Sequence, residues 1–199
     1  MKRKNPYVGD PRTRQAKLDG YPARSVYKLE EIDRRCQLLH RGQRVLDLGA
    51  APGSWSLYAA ERVGPTGLVV AIDIKPILQT FPTQVVAIQA DALDTDNPAW
   101  TTYAPFDVVL SDMAPNTSGS KVRDQTLSHE LFSRALALAC QVSKPRSHFV
   151  GKLFMSDEFP AAKACVAKSY RLVRVLRPEG TRQSSSEVFL VGLDKAVKP

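Results

Sequence analysis

Arg44-Val-Leu-Asp-Leu-Gly-Ala-Ala-Pro-Gly-Ser-Trp55 is the stretch on which the fold of this chain turns. Arg44 to Leu48 is a short apolar run interrupted by Asp47; at Gly49 it gives way to a turn of small residues, and a helical pattern opens at Ser54. A strand that passes through a glycine turn into a helix is the first half of a β-α-β unit. The alternation continues downstream. Candidate strands are Arg44 to Leu48, Leu68 to Asp73, Gln84 to Gln89, Phe106 to Ser111, Ser147 to Leu153, Arg171 to Leu176 and Glu187 to Leu193. Most lack polar alternation, as strands covered on both faces by helices require.

Helices are expected at Ser54 to Val63, Gln125 to Val142 and Pro160 to Ser169. In the second, Leu127, Leu131, Ala135, Leu138 and Val142 form an apolar stripe at helical spacing. A leading helix starts near Arg24, its apolar face marked by Leu29, Ile32, Cys36 and Leu39. Between Leu176 and Glu187, about ten residues with Pro178, Gly180 and three serines leave no room for a crossover helix. The last strand must then run antiparallel to its neighbour. The expectation is an α/β fold: a single-domain doubly wound sheet, mostly parallel with an antiparallel last strand. By analogy it is of the Rossmann-like type found in S-adenosylmethionine-dependent methyltransferases.

At 199 residues with 43% hydrophobic content, the chain fits one domain with one substantial core. Its longest apolar runs, such as Gly67 to Ile72, fall far short of the roughly 20 residues a membrane span needs. The basic start has no apolar run behind it, and Pro6, Asp10 and Pro11 spoil an amphipathic transit helix. Cys36, Cys140 and Cys165 form no Cys-x-x-Cys pair and are expected as buried thiols in a reducing cytoplasm. His40, His129 and His148 lack metal-ligand spacing, so no metal is expected.

The net charge is +8, and residues 1 to 28 hold +6 of it: Lys2, Arg3, Lys4, Arg12, Arg14, Lys17, Arg24 and Lys28 against Asp10 and Asp19. We read residues 1–23 as a basic arm ahead of a 24–199 domain. The polyanion that best matches such an arm is nucleic acid. On charge alone, a solvated terminus is an equally good reading. Tyr7, Tyr21 and Tyr27 lie among these cations, an interleaving suited to stacking on unpaired bases, although Tyr27 also suits core packing. Trp100 and Tyr103 read as packing residues.

In open α/β sheets the ligand crevice lies beyond the carboxyl ends of the strands, where glycines admit a ligand to the backbone. Gly49 and Gly53 fit that role, with Trp55 closing the motif, and their spacing is not that of a dinucleotide fingerprint. Asp73 ends the second strand, where a carboxylate can take both hydroxyls of an adenosine ribose. Asp91 follows the third strand, toward an adenine edge, and Asp112 the fourth, near the methionine amine and the methyl group. One such Asp is more often a turn former. Three on one edge argue for a cofactor.

Arg24 to Leu29, Asp47 to Trp55, Ser111-Asp-Met-Ala-Pro-Asn116, Gly151-Lys-Leu-Phe154 and Ser185-Ser-Glu-Val-Phe189 resemble the successive motifs of the FtsJ family of ribosomal RNA ribose methyltransferases. The likeness runs from about Lys17 to Gly192. Two positions depart from the pattern: Ser54 stands where a second glycine is usual, and Gly151 where valine is more common. The resemblance implies S-adenosylmethionine as cofactor and Lys28, Asp112, Lys152 and Glu187 as the catalytic set, with Lys152 activating a ribose 2′-hydroxyl and Asp112 beside the methyl. A free lysine, with a pKa of about 10.4, is a poor base, so a nearby like charge, for which Lys28 is the candidate, and partial burial are needed to lower it.

The substrate implied is RNA, with a uridine of large-subunit ribosomal RNA in the ribosomal particle the leading expectation. Transfer RNA, a messenger RNA cap or a small molecule are the alternatives. A non-catalytic RNA-binding protein would not need the four polar residues. We expect a cytoplasmic monomer, with no membrane partner.

Overall fold

Seven strands form one sheet in the order β3-β2-β1-β4-β5-β7-β6. They are β1 (Arg44–Leu48), β2 (Leu68–Asp73), β3 (Val85–Gln89), β4 (Phe106–Ser111), β5 (Ser143–Phe154), β6 (Tyr170–Leu176) and β7 (Glu187–Lys195). The helices are α1 (Pro11–Leu18), α2 (Val26–Cys36), α3 (Ser54–Val63), α4 (Pro98–Thr101), α5 (Lys121–Val142) and α6 (Phe159–Ser169). This computed structural model describes residues 10–94, 98–179, 181 and 185–197. The arm residues Lys2, Arg3, Lys4 and Tyr7 lie outside the described residues.

The first five strands are parallel, and β7 slots between β5 and β6, antiparallel to both. The short β6–β7 connection imposes this reversal, as expected from the sequence. Side chains alternate across the sheet. Val45, Val69, Val108, Val150 and Phe189 face Leu29 and Ile32 of α2 and Ala59 and Val63 of α3. Leu46, Val70, Val109, Phe149 and Leu190 face Trp100 of α4, Phe132 and Ala139 of α5, and Val166 of α6. The apolar runs of the central strands thus serve two cores, one on each face. No helix among the described residues is long and apolar enough to cross a membrane.

Several expectations shift in register. The buried stripe of α5 is Asp124, Ser128, Phe132, Ala135, Leu136, Leu138, Ala139 and Val142; Leu127 and Leu131 are only half-buried. Polar residues occupy inward positions because they serve backbone: Ser128 Oγ accepts Phe154 N–H (2.9 Å), and Asp124 Oδ1 accepts from Ser118 N and Oγ (both 2.8 Å). Leu39 is buried but lies beyond α2, where Asp33 Oδ1 accepts the N–H groups of Leu38 and Leu39 (3.0 and 2.9 Å) and turns both inward. Helix α1 is not among the expected helices. Its interior has one buried residue, Ala16, and so no apolar period. The Asp10-Pro11 pair starts it, the Asp10 carboxylate accepting Arg12 N–H at 3.3 Å, and the helix that follows has no amphipathic face. The cysteines are not all buried as expected. Cys36 and Cys140 are half-buried, while Cys165 is exposed because α6 buries only Ala162 and Val166.

Candidate active site

Strands β2 and β4 flank β1, so the chain moves outward to β3 and then returns to the other side of β1. Such a reversal opens a crevice at the carboxyl ends of β1 and β4. The Asp47–Trp55 turn lies across it. Gly49 has φ +76° and Gly53 φ +111°, a region that side chains with a Cβ resist. A Cβ on Gly49 would come within 2.6 Å of Met113 Cγ, and one on Gly53 within 2.9 Å of Phe81 Cζ. The turn hangs on the end of β2: Gly49 and Ala50 donate to Ile72 O (2.9 and 3.0 Å), and Ala51 N donates to Asp73 Oδ2 (2.9 Å).

Asp73 therefore shapes the turn, and its Oδ1 also accepts Lys75 N–H at 2.8 Å. Asp91 is exposed after β3, its Oδ1 accepting Leu93 N–H at 2.9 Å. Trp55 does not present its ring to the crevice. It is buried, its ring centroid lies 5.8 Å from that of Phe189, and its Nε1 donates to Ser25 O at 2.8 Å.

Asp47 has no role of its own in the sequence motif, yet the structure gives it one. It is 1% exposed; Oδ2 accepts Ser56 Oγ–H at 2.6 Å, and Oδ1 is buried without a hydrogen-bond partner. Burial pushes its carboxyl up to about 7, against the Ser56 hydrogen bond and helped by repulsion from Asp112 and Asp73. With two more carboxylates, Asp112 and Asp73, acting on it, the charged form of Asp47 would be favoured by a nearby cation. The signal for it in the sequence is a lone acid inside an apolar strand.

At the next strand ends, Lys152 is 6% exposed and its Nζ meets Asp112 twice, at Oδ1 (2.9 Å) and at the backbone carbonyl (2.6 Å). Lys28 Nζ meets Glu187 Oε2 at 2.6 Å. The β5–β7 register sets Lys152 opposite Phe189 and Phe154 opposite Glu187, so Lys152 and Glu187 share one sheet face. Lys28, arriving from α2 on that face, sits 5.8 Å from the Phe189 ring centroid. Four residues distant in sequence meet here as two ion pairs. Lys28, the candidate like charge for Lys152, is itself paired with Glu187.

Other candidates are committed elsewhere. Tyr21 and Tyr27 donate their hydroxyls to Glu61 (2.7 Å) and Asp19 (2.6 Å). Trp100 is fully buried, with Tyr103 packed against the same core. His148 Nδ1 accepts Asp194 N–H at 3.2 Å, His40 Nε2 lies 3.0 Å from Gln37 O, and His129 Nδ1 lies 3.7 Å from Glu158. Among the described residues, no cluster of His, Cys, Asp and Glu could hold a metal ion.

The FtsJ-like methyltransferase family model matches residues 21–195. A ribosomal RNA large subunit methyltransferase E of Sorangium cellulosum is 57% identical over 196 residues, covering 98% of this chain and 92% of that protein. Its namesake in Syntrophobacter fumaroxidans is 45% identical over 188 residues, covering 94% and 95%. Among solved structures, a ribosomal RNA methyltransferase of Plasmodium falciparum superposes with a TM-score of 0.78 at 25% identity, over 88% of this chain and 98% of that one. Human methyltransferase-like protein 13, in complex with SAH, shares the fold at a TM-score of 0.56 and 17% identity, over 79% and 76%.

Proposed function

The chain belongs to the FtsJ-like methyltransferase family, and from that premise we propose that it methylates the ribose 2′-oxygen of a uridine in large-subunit ribosomal RNA, with S-adenosylmethionine as donor. The observation that carries this reading is the meeting of the Lys152–Asp112 and Lys28–Glu187 pairs beside the glycine turn. Gly49 and Gly53 of the turn, with Asp73, Asp91 and Asp112 at the strand ends, would hold the donor, while Trp55, buried against Phe189 and Ser25, braces the turn from behind. The unpartnered, buried Oδ1 of Asp47 and the two positive-φ glycines fit a ligand that is cationic at one end and lies close to the backbone.

S-adenosylmethionine, when bound, supplies a methyl group on a sulfonium as the electrophile. The protein's part is alignment and proton removal. Lys152, ion-paired with Asp112, must first release a proton to water, and as the amine it then takes the 2′-hydroxyl proton at Nζ as the oxygen attacks. Asp112, 2.9 Å away, holds that nitrogen in place and offsets the ammonium charge once it forms. Lys28, steadied by Glu187, grips the target nucleotide from the α2 side. The basic arm would contact phosphates on either side, the protein acting as a cytoplasmic monomer on an RNA loop presented by the ribosomal particle.

The test is transfer of labelled methyl groups to large subunits from cells lacking the enzyme. We expect 2′-O-methyluridine after digestion, and little label in transfer RNA or capped messenger RNA. Lys152→Ala should lose transfer while cofactor affinity stays within about threefold of wild type, because the lysine acts on the hydroxyl and not on the nucleoside. Strong labelling of transfer RNA with silent particles would move the substrate. A Lys152→Ala enzyme that retained most of its turnover would remove the base.

A further inference from the structure

Two hydrogen bonds join the glycine turn to the chain leading into α2. Ser54, which follows Gly53 and opens α3, is 1% exposed, and its Oγ accepts Ala23 N–H at 2.8 Å. Next to it, Trp55 Nε1 donates to Ser25 O at 2.8 Å, and the same carbonyl accepts the backbone N–H of Lys28 at 3.0 Å. A second route runs through side chains: the Trp55 ring packs on Phe189, the ring beneath Lys28 Nζ. Glycine, usual at position 54 in the pattern this sequence resembles, has no hydroxyl and would leave Ala23 N–H without this acceptor.

We propose that Ser54 is a positioning residue that ties the cofactor turn to Lys28, so that filling the turn fixes the Lys28–Glu187 pair for the incoming ribose. Gly53 and Ser54 are adjacent, and a buried Ser54 has few rotamers with which to absorb a shift of the turn. Movement or rigidification at Gly53 is therefore passed to Ala23. From there it reaches the first turn of α2, where Val26, Tyr27 and Lys28 donate to the carbonyls of Ala23, Arg24 and Ser25. By linkage, a donor that tightens RNA binding through this route is itself bound more tightly when RNA is present. The inference rests on assigning the turn to the methyl donor.

Hydrogen exchange of the segment from Ala23 to Lys28, followed with and without S-adenosylhomocysteine, tests it with no RNA present. In the wild type the ligand should slow exchange there by about fivefold or more, the low end of coupling between linked sites. In Ser54→Ala and Ser54→Gly this slowing should shrink to about twofold or less, what the Trp55 contacts alone pass on, although S-adenosylhomocysteine affinity without RNA stays within about threefold, since the hydroxyl is turned toward Ala23. Turnover on RNA should drop by about tenfold from the misplaced lysine, with the cofactor KM little changed. Equal slowing in wild type and variants, or no slowing in wild type, overturns the proposal. If the wild type binds the ligand and shows the exchange effect but labels no ribosomal RNA, the substrate assignment fails and the coupling stands.

Discussion

Asp47 is buried with one oxygen unpartnered, and this makes its protonation part of the stability of the fold. Its carboxyl is pushed from an ordinary 3.8 to about 7, burial being the main cause. Between about pH 4 and about pH 7 the folded chain keeps a proton here that the unfolded chain has released. Its contribution to stability is thus greatest at the acid end of that window and declines as pH rises through it. Asp47→Asn should remove this slope, which denaturant midpoints of the two proteins across the window would reveal. Parallel curves for wild type and variant would mean that Asp47 keeps its charge when folded.

The elements show how substitutions at one position are absorbed by another. Gly151 sits in β5 immediately before Lys152, and a Cβ there would come within 2.6 Å of both Phe132 Cε2 and Phe149 Cζ. Those rings meet edge to face at 5.7 Å, and Phe149 stacks on Tyr170 at 6.3 Å. Aromatic groups from α5 and β5 therefore fill the space that a valine side chain would take. Gly151→Val should destabilise the protein by about 1–3 kcal/mol through overpacking. Combining it with Phe132→Leu should recover part of the loss, a non-additivity that thermal unfolding of both single variants and the double variant measures. Simple additivity would show that the two positions do not compete for the same space. The Ser128 and Asp124 hydrogen bonds of α5 follow the same logic, the helix face being chosen by what backbone it must satisfy as well as by apolarity.

At the scale of the whole molecule, much of the basic N-terminal segment belongs to the folded body. From Asp10 onward it is folded onto the body: Asp10 pairs with Arg24 at 2.8 Å, Ala16 is buried, and Tyr27 donates to Asp19 at 2.6 Å. Deleting residues 1–9 removes Lys2, Arg3 and Lys4 and leaves the α1 cap intact. RNA affinity should fall, and its salt dependence should become shallower by about 0.7 for each single-strand phosphate left unneutralised, so up to about 2 for the three cations. Turnover at saturating RNA should be preserved. An unchanged salt slope would mean these cations touch no phosphate. Deletion through Asp19 is a poorer experiment, because it also removes the ion pair and hydrogen bonds that hold the start of α2.

The order of the strands, helices α2, α3, α5 and α6, the reversal of β7 and the glycine turn were legible in the sequence, because each is set locally: by apolar period, by loop length, or by a φ that only glycine readily adopts. The four polar residues were visible as motifs, and topology brought the strand ends carrying Asp112, Lys152 and Glu187 to one edge, with Lys28 reaching it from α2. What the sequence left open depended on partners far along the chain. Helix α1 carries no apolar period, since it buries one alanine and is held by Asp10 and Arg24. The inward face of α5 is set by Phe154 and Ser118, whose N–H groups needed acceptors. Which lysine pairs with which carboxylate, and that Trp55 turns from the crevice to Ser25, were decided only when β7 and α2 closed on the same sheet face. Spacing along a chain specifies periodicity and turns, whereas ion pairs and buried hydrogen bonds are chosen by three-dimensional neighbours, and those exist only once the sheet has formed.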